Sequence, residues 1–196
     1  MKKLLTLSAL AGAMLLCGQV KAQDITKGNL AFLKGVDEIN VSFVYTDLKV
    51  GKEGKEANYI KKKKTEREAK EPGGGAAWEK SWYDDRPKRY EPRFILLFGK
   101  YAEMKIGDED VKGKYTMVVD TKFIEPGYNV GISSGAAVID LDISIFDASD
   151  MTKPLCKIRM DDVKGGKGQF DTGMRIGEAY AKAGKELGKL VAKKAK

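Results

Sequence analysis

The pentapeptide Gly131-Ile132-Ser133-Ser134-Gly135 fits the G-x-S-x-G pattern with which a hydrolase presents a nucleophilic serine, Ser133 standing in the nucleophile's place. A serine hydroxyl is a poor nucleophile at neutral pH without a base, and the chain contains no histidine. The chemistry left open is a Ser-Lys dyad, which needs a lysine desolvated enough to lose its proton. Sequence context weighs against it. The pattern follows the turn Pro126-Gly127 and runs into a predicted strand, Ala136 to Phe146, where the nucleophile elbow requires a helix. The favoured reading is a flexible connection between strands, with no catalytic residue.

Three further groups could do chemistry, and each has a plainer explanation. The loop Val163 to Phe170, rich in glycine and set before a helix, invites a phosphate, but Gly166-Lys167 is followed by Gly168 and Gly184-Lys185 by Glu186, where a Walker loop requires Ser or Thr. Asp171 or Thr172 is the predicted N-cap there, and occupies the donors a phosphate would use. Asp140 and Asp142 share a strand face, with Lys157 and Arg159 on the next strand as cross-strand partners. The run Asp108-Glu109-Asp110 lacks the ligand spacing of a calcium loop. No bound metal and no cofactor are expected.

Two features remain as interaction surfaces. Lys61, Lys62, Lys63 and Lys64 are consecutive and could meet an anionic glycan or lipid headgroup, although Glu66, Glu68 and Glu71 follow closely. Trp78, Trp82 and Tyr83 form an aromatic cluster, with the tryptophans one helical turn apart. Such rings either anchor a sugar or protein partner or pack into a core, and core packing against the helix from Pro92 is favoured for the cluster.

The N-terminus says where the chain goes. Lys2 and Lys3 precede an apolar run from Leu4 to Leu16, then small residues ending at Ala22: a secretory signal peptide over residues 1–22, cleaved after Ala22. Cys17 would be the acylated residue of a lipoprotein, but Leu16 stands where a lipobox has a small residue, so the expected product starts at Gln23 and is periplasmic or secreted. The remaining 174 residues suit one domain. Removing Lys2, Lys3 and Lys21 takes the 36 basic residues to 33 against 28 acidic ones, a net charge of +5 in place of +8. That balance implies no nucleic-acid partner, and no later apolar run reaches membrane-spanning length. Cys156 is then the only cysteine, unpaired and in register with Ile158 and Met160, which points it inward.

Hydrophobic periodicity supplies the elements. Ile39, Val41, Phe43 and Tyr45 alternate with polar residues, as do Tyr115 to Phe123, Ile139 to Ile145 and Cys156 to Met160. A shorter strand is expected at Asn29 to Leu33. Glu91-Pro92 reads as a helix start, and Phe94, Leu97, Phe98, Tyr101 and Met104 give that helix an apolar stripe, although a strand over 94–98 competes. Residues 51–75 form a charged, lysine-rich excursion, helical or mobile. The clearest element is a C-terminal amphipathic helix with Ile176, Ala179, Tyr180, Ala183, Leu187, Leu190 and Val191 on one stripe. Gly177, Ala181, Gly184 and Gly188 form a second stripe beside it, expected to lie close against the sheet. The fold predicted is α+β: a mostly antiparallel sheet of four to five strands packed against the C-terminal helix and one or two middle helices, in a single domain over residues 23–196.

The segments FIEPGYN, AAVIDLDISIFD and FDTGMRIGEAYAKAGKELGKLVAK, within Lys114 to Lys196, resemble a family of uncharacterised exported proteins from Bacteroidetes-type bacteria. In outline such proteins are similar to small α/β envelope domains of the CsgG-like and TolB N-terminal class. The resemblance implies an α/β sandwich in the cell envelope and carries no catalytic residues. The functional expectation is a non-enzymatic exported module that binds or assembles an envelope component. An envelope serine hydrolase acting through Ser133, or a binder of anionic glycan or lipid through Lys61 to Lys64, stands as the alternative.

Overall fold

The period-two stretches form one mixed sheet, and the period-3.6 stretches cover one of its faces. The computed structural model describes residues 23–107 and 111–195, so the signal peptide expected over residues 1–22, with Cys17, and the run Asp108-Glu109-Asp110 lie outside the described residues. In chain order the strands and helices are Asp24–Gly28 (β1), Glu38–Val44 (β2), Lys49–Val50 (β3), Gly54–Lys55 (β4), Glu56–Glu68 (α1), Gly74–Asp85 (α2), Glu91–Ala102 (α3), Lys105–Gly107 (β5), Tyr115–Glu125 (β6), Tyr128–Asn129 (β7), Ser134–Gly135 (β8), Val138–Asp147 (β9), Cys156–Lys164 (β10) and Thr172–Lys194 (α4).

The sheet runs β1-β10-β9-β6-β2-β5, with β3 and β4 attached beside the far end of β6. The α+β class is the one expected; the short pieces bring the strand count to eight. From β6 to β9, β10 and β1 every pairing is antiparallel, as tight turns allow. β2 pairs with β5 and β6 in parallel, because the chain between them passes through all three middle helices. Ile139, Leu141, Ile143 and Ile145 of β9 and Cys156, Ile158 and Met160 of β10 point into one hydrophobic cluster, which α3 and α4 cover.

Two expectations change. The strand placed at Asn29 to Leu33 is a turn: the Asn29 side chain accepts from the Ala31 N–H at 2.9 Å and a 3-10 turn follows over Ala31–Leu33. The edge strand lies earlier, at β1, whose exposed faces leave no alternation to read. In β6 the inward phase of Tyr115, Met117 and Val119 continues to Thr121; a bulge between Thr121 and Phe123 then shifts it, so Ile124 is buried and Phe123 only partly so. The helix start at Glu91-Pro92 is where α3 begins, with Pro92 in its first turn, and α3 follows α2 without a break. A π-helical turn, Arg86–Tyr90, joins α2 to α3, and the Glu91 N–H reaches the Arg86 carbonyl. Pro87 and Pro92 lack the N–H groups an α ladder would use, and the wider turn absorbs the gap.

The glycine stripe of α4 is a contact surface, but against a helix. A Cβ built on Gly184 would lie 2.3 Å from the Phe94 carbonyl oxygen, and one on Gly188 2.8 Å from that of Phe98. A Cβ on Gly177 would meet the Arg93 side chain at 3.1 Å. The sheet is met by the other stripe: Ile176, Ala179, Tyr180, Ala183 and Leu187 are buried in the core. Asp171 caps the helix, accepting from the Met174 N–H at 2.8 Å.

Candidate interaction surface

The lysine-rich excursion folds as α1 and turns back into α2. Glu68 makes the turn: its two carboxylate oxygens accept from the N–H groups of Gly73 and Gly75 at 2.9 and 3.0 Å, which also holds its carboxyl below the usual range. Gly75 lets the helices approach, since a Cβ there would lie 2.8 Å from the Lys64 carbonyl oxygen. Three of the four lysines are answered within this arm. Lys62 pairs with Glu53 at 2.5 Å, Lys63 with Glu66 at 2.8 Å and Lys64 with Glu79 at 2.5 Å. Lys61 makes no ion pair among the described residues.

The aromatic cluster divides. Trp82 is buried and Trp78 half-buried, stacked 5.7 Å apart and both against the Tyr59 ring. The Trp82 indole donates to Glu56 at 2.5 Å, and Arg86 pairs with the same carboxylate oxygen at 2.5 Å. These tryptophans root the α1–α2 arm in the core. Tyr83 points outward and is 43% exposed. The Arg86 guanidinium lies 5.0 Å from its ring centroid and 4.0 Å from that of Tyr45, so Tyr83 is steadied from one side. Its remaining surface borders a groove of about 410 Å³ lined by Ala57, Ile60, Lys61, Lys64, Thr65 and Glu79. Of the seven residues singled out in the sequence, Lys61, Lys64 and Tyr83 therefore share one site; Lys62 and Lys63 lie outside it, and Trp78 and Trp82 stand behind it.

Beneath this arm runs a polar chain that period analysis does not reveal. Tyr45 donates to Glu91 at 3.0 Å, and the Tyr180 hydroxyl meets Tyr45 and, at 2.5 Å, Thr121. Burial pushes the phenols of Tyr45, Tyr90 and Tyr180 well above their ordinary range, and that of Tyr59 up to about 12. The same cause raises the Cys156 thiol to about 11, so the inward-facing cysteine is held protonated.

The other sequence candidates have ordinary surroundings. Ser133 lies at the turn of the β7–β8 hairpin, its hydroxyl 3.1 Å from the Tyr128 hydroxyl, with no lysine bonded to it among the described residues. On the open face of the sheet Arg159 pairs with Asp142 at 3.2 Å, as expected, and with Asp161 at 2.8 Å. Asp140 instead accepts the Asp162 backbone N–H at 2.8 Å, where a bulge has displaced the next strand. Asp120 stands directly opposite Asp142 and is relieved by Lys122 at 2.5 Å. Among the described residues no three Cys, Asp or Glu side chains are grouped so as to hold a metal ion, and no helix is long and apolar enough to cross a membrane.

Neither a family model nor a curated protein matches the chain. Among solved structures, a substituted variant of the PelC dodecamer from Paraburkholderia phytofirmans is similar at 10% identity and a TM-score of 0.41, over 86% of this chain and 95% of that one. A second structure of the PelC dodecamer gives 11% and 0.40, over 84% and 96%. At this level the likeness says nothing of function.

Proposed function

We propose that this protein is a non-enzymatic, exported binding module of the cell envelope, and that the groove beside α1 takes an anionic glycan. The observation that carries the reading is Tyr83: a half-exposed aromatic ring, steadied by Arg86, at the wall of a groove that also presents Lys61. A ring face supplies stacking for a sugar, and an ammonium group that is not already paired supplies the charge for a carboxylate. The leader over residues 1–22 supports export, and the histidine-free composition with Ser133 at a hairpin turn supports a role without catalysis.

Calorimetric titration with an oligogalacturonate, set against a neutral oligosaccharide of equal length, tests this reading. Binding of the acidic probe alone is expected, weakened roughly tenfold by Tyr83→Ala and by Lys61→Glu and retained by Tyr83→Phe. An affinity that ignores both Tyr83→Ala and Lys61→Glu, or no binding of the acidic probe, overturns it.

A further inference from the structure

A second surface lies where β6 ends. Tyr128 and Asn129 pair with Gly135 and Ser134 to make a short hairpin, and its turn carries Ile132, wholly exposed, and Val130, 67% exposed. Tyr128 is half exposed. The Asn129 amide donates to the Gly168 carbonyl at 2.9 Å, which joins the hairpin to the glycine-rich loop before α4. Two residues beyond that bond stands Phe170, 74% exposed. Single exposed hydrophobic residues are ordinary, but four large ones on two joined loops are not.

These loops are fastened from below. Arg175, in the first turn of α4, is buried, and its guanidinium donates to the carbonyls of Pro126, Gln169 and Phe170 at 3.1, 2.8 and 2.7 Å and to the Thr172 hydroxyl at 3.0 Å. One buried cation thus ties the start of the hairpin to the loop that carries Phe170. Its bonds satisfy the donors without a carboxylate, which is a costly way to fix two loops unless their relative position matters. Two lysines stand beside the apolar residues. Lys164 and Lys167 are exposed and form no ion pair among the described residues, while the nearby Asp171 and Glu178 are taken by Arg89 and Arg93.

We propose that this end of the molecule is a membrane-docking tip, which inserts Val130, Ile132 and Phe170 into the interface of an anionic bilayer and sets Lys164 and Lys167 against its phosphates. Tyr128, apolar in its ring and polar at its hydroxyl, matches the headgroup level. The size of the patch favours a bilayer over a protein: a stable protein interface engages roughly 20–30 residues a side, whereas a few inserted apolar side chains with cationic neighbours suffice for reversible binding to lipid. The surface is separate from the Tyr83 groove and does not depend on it.

The chain beginning at Gln23 holds every element described, and its sedimentation with phosphatidylcholine vesicles, with and without phosphatidylglycerol, tests the proposal. Binding is expected to the phosphatidylglycerol vesicles, with an affinity roughly ten- to a hundredfold lower in Ile132→Asp. The double variant Lys164→Glu, Lys167→Glu is expected to lose the preference for anionic lipid, while Tyr83→Ala binds vesicles like the parent. Ile132 and both lysines are exposed, so unchanged thermal unfolding accompanies these losses. No sedimentation with either vesicle, or equal sedimentation of parent and Ile132→Asp, overturns the proposal. So does self-association that Ile132→Asp abolishes in the absence of vesicle binding, which would assign the tip to a second copy of the chain.

Discussion

Two tyrosines stacked on each other show how far apart the consequences of one hydroxyl can be. The rings of Tyr90 and Tyr180 lie 5.1 Å apart and nearly parallel, both in the core. The Tyr180 hydroxyl is held by Thr121 and Tyr45. That of Tyr90 is buried with no hydrogen-bond partner among the described residues. Removing a satisfied buried hydroxyl strands its partners, while removing an unsatisfied one relieves a desolvation cost. Chemical denaturation should therefore find Tyr180→Phe less stable by about 1–2 kcal/mol and Tyr90→Phe unchanged or more stable. A clear loss in Tyr90→Phe would mean that its hydroxyl is bonded after all. Neither role is visible in sequence. Tyr180 reads as one member of an apolar stripe and Thr121 as a polar residue on the inward phase of β6, and only the packing of α4 on the sheet brings their hydroxyls together.

Helix α4 is where packing between elements is most sharply specified. Alanine is the better helix former by roughly 1 kcal/mol, so Gly184→Ala would stabilise a solvent-facing position. Here the new Cβ would meet the Phe94 carbonyl oxygen at 2.3 Å, and backbone cannot step aside as a side chain can. Overpacking of this kind costs about 1–3 kcal/mol, so Gly184→Ala is expected to be destabilising in thermal unfolding and Gly184→Leu more so. Leu187→Ala, on the sheet-facing stripe, is expected to lose about 2–5 kcal/mol. A Gly184→Ala protein as stable as its parent would show that α3 and α4 are further apart than described. The sequence announces both stripes of α4 and the alternation of β6, β9 and β10 because each holds its period over many residues, up to the bulges in β6 and β10. It does not tell which neighbour the glycines meet, since helix and sheet surfaces demand the same small residues. It is silent too on β1, where only Ile25 packs against the core, and on the groove. The lysine run reads as a patch of charge until the fold supplies Glu53 and Glu79 from other elements and leaves Lys61 beside Tyr83.

At the scale of the whole molecule, ionisable groups are sorted by depth. Carboxylates whose pKa is lowered, such as Glu66, Glu68, Asp147 and Asp150, lie at the surface. Apart from the buried Arg175 and Asp85, the groups toward the core are acids kept neutral: the Cys156 thiol and the phenols of Tyr45, Tyr59, Tyr90 and Tyr180. Each has its folded pKa raised by burial, so each binds its proton more tightly folded than unfolded. The stability this represents is fully present below the unfolded values, 9.0 for the thiol and 10.0 for a phenol, and is lost as pH rises through the folded ones, about 11 for Cys156 and about 12 for Tyr59. With no histidine in the chain, no side chain of ordinary pKa titrates near neutrality. The unfolding temperature is therefore expected to stay nearly level from about pH 6 to 8 and to fall progressively from about pH 9 upward. Phenolate absorbance gives an independent reading of the same event. The phenols of Tyr45, Tyr59, Tyr90 and Tyr180, which burial keeps protonated, should ionise together with loss of the circular dichroism signal. If these four ionise while the fold persists, their phenols reach water in the native state, and the close packing around Tyr45, Tyr59, Tyr90 and Tyr180 is refuted.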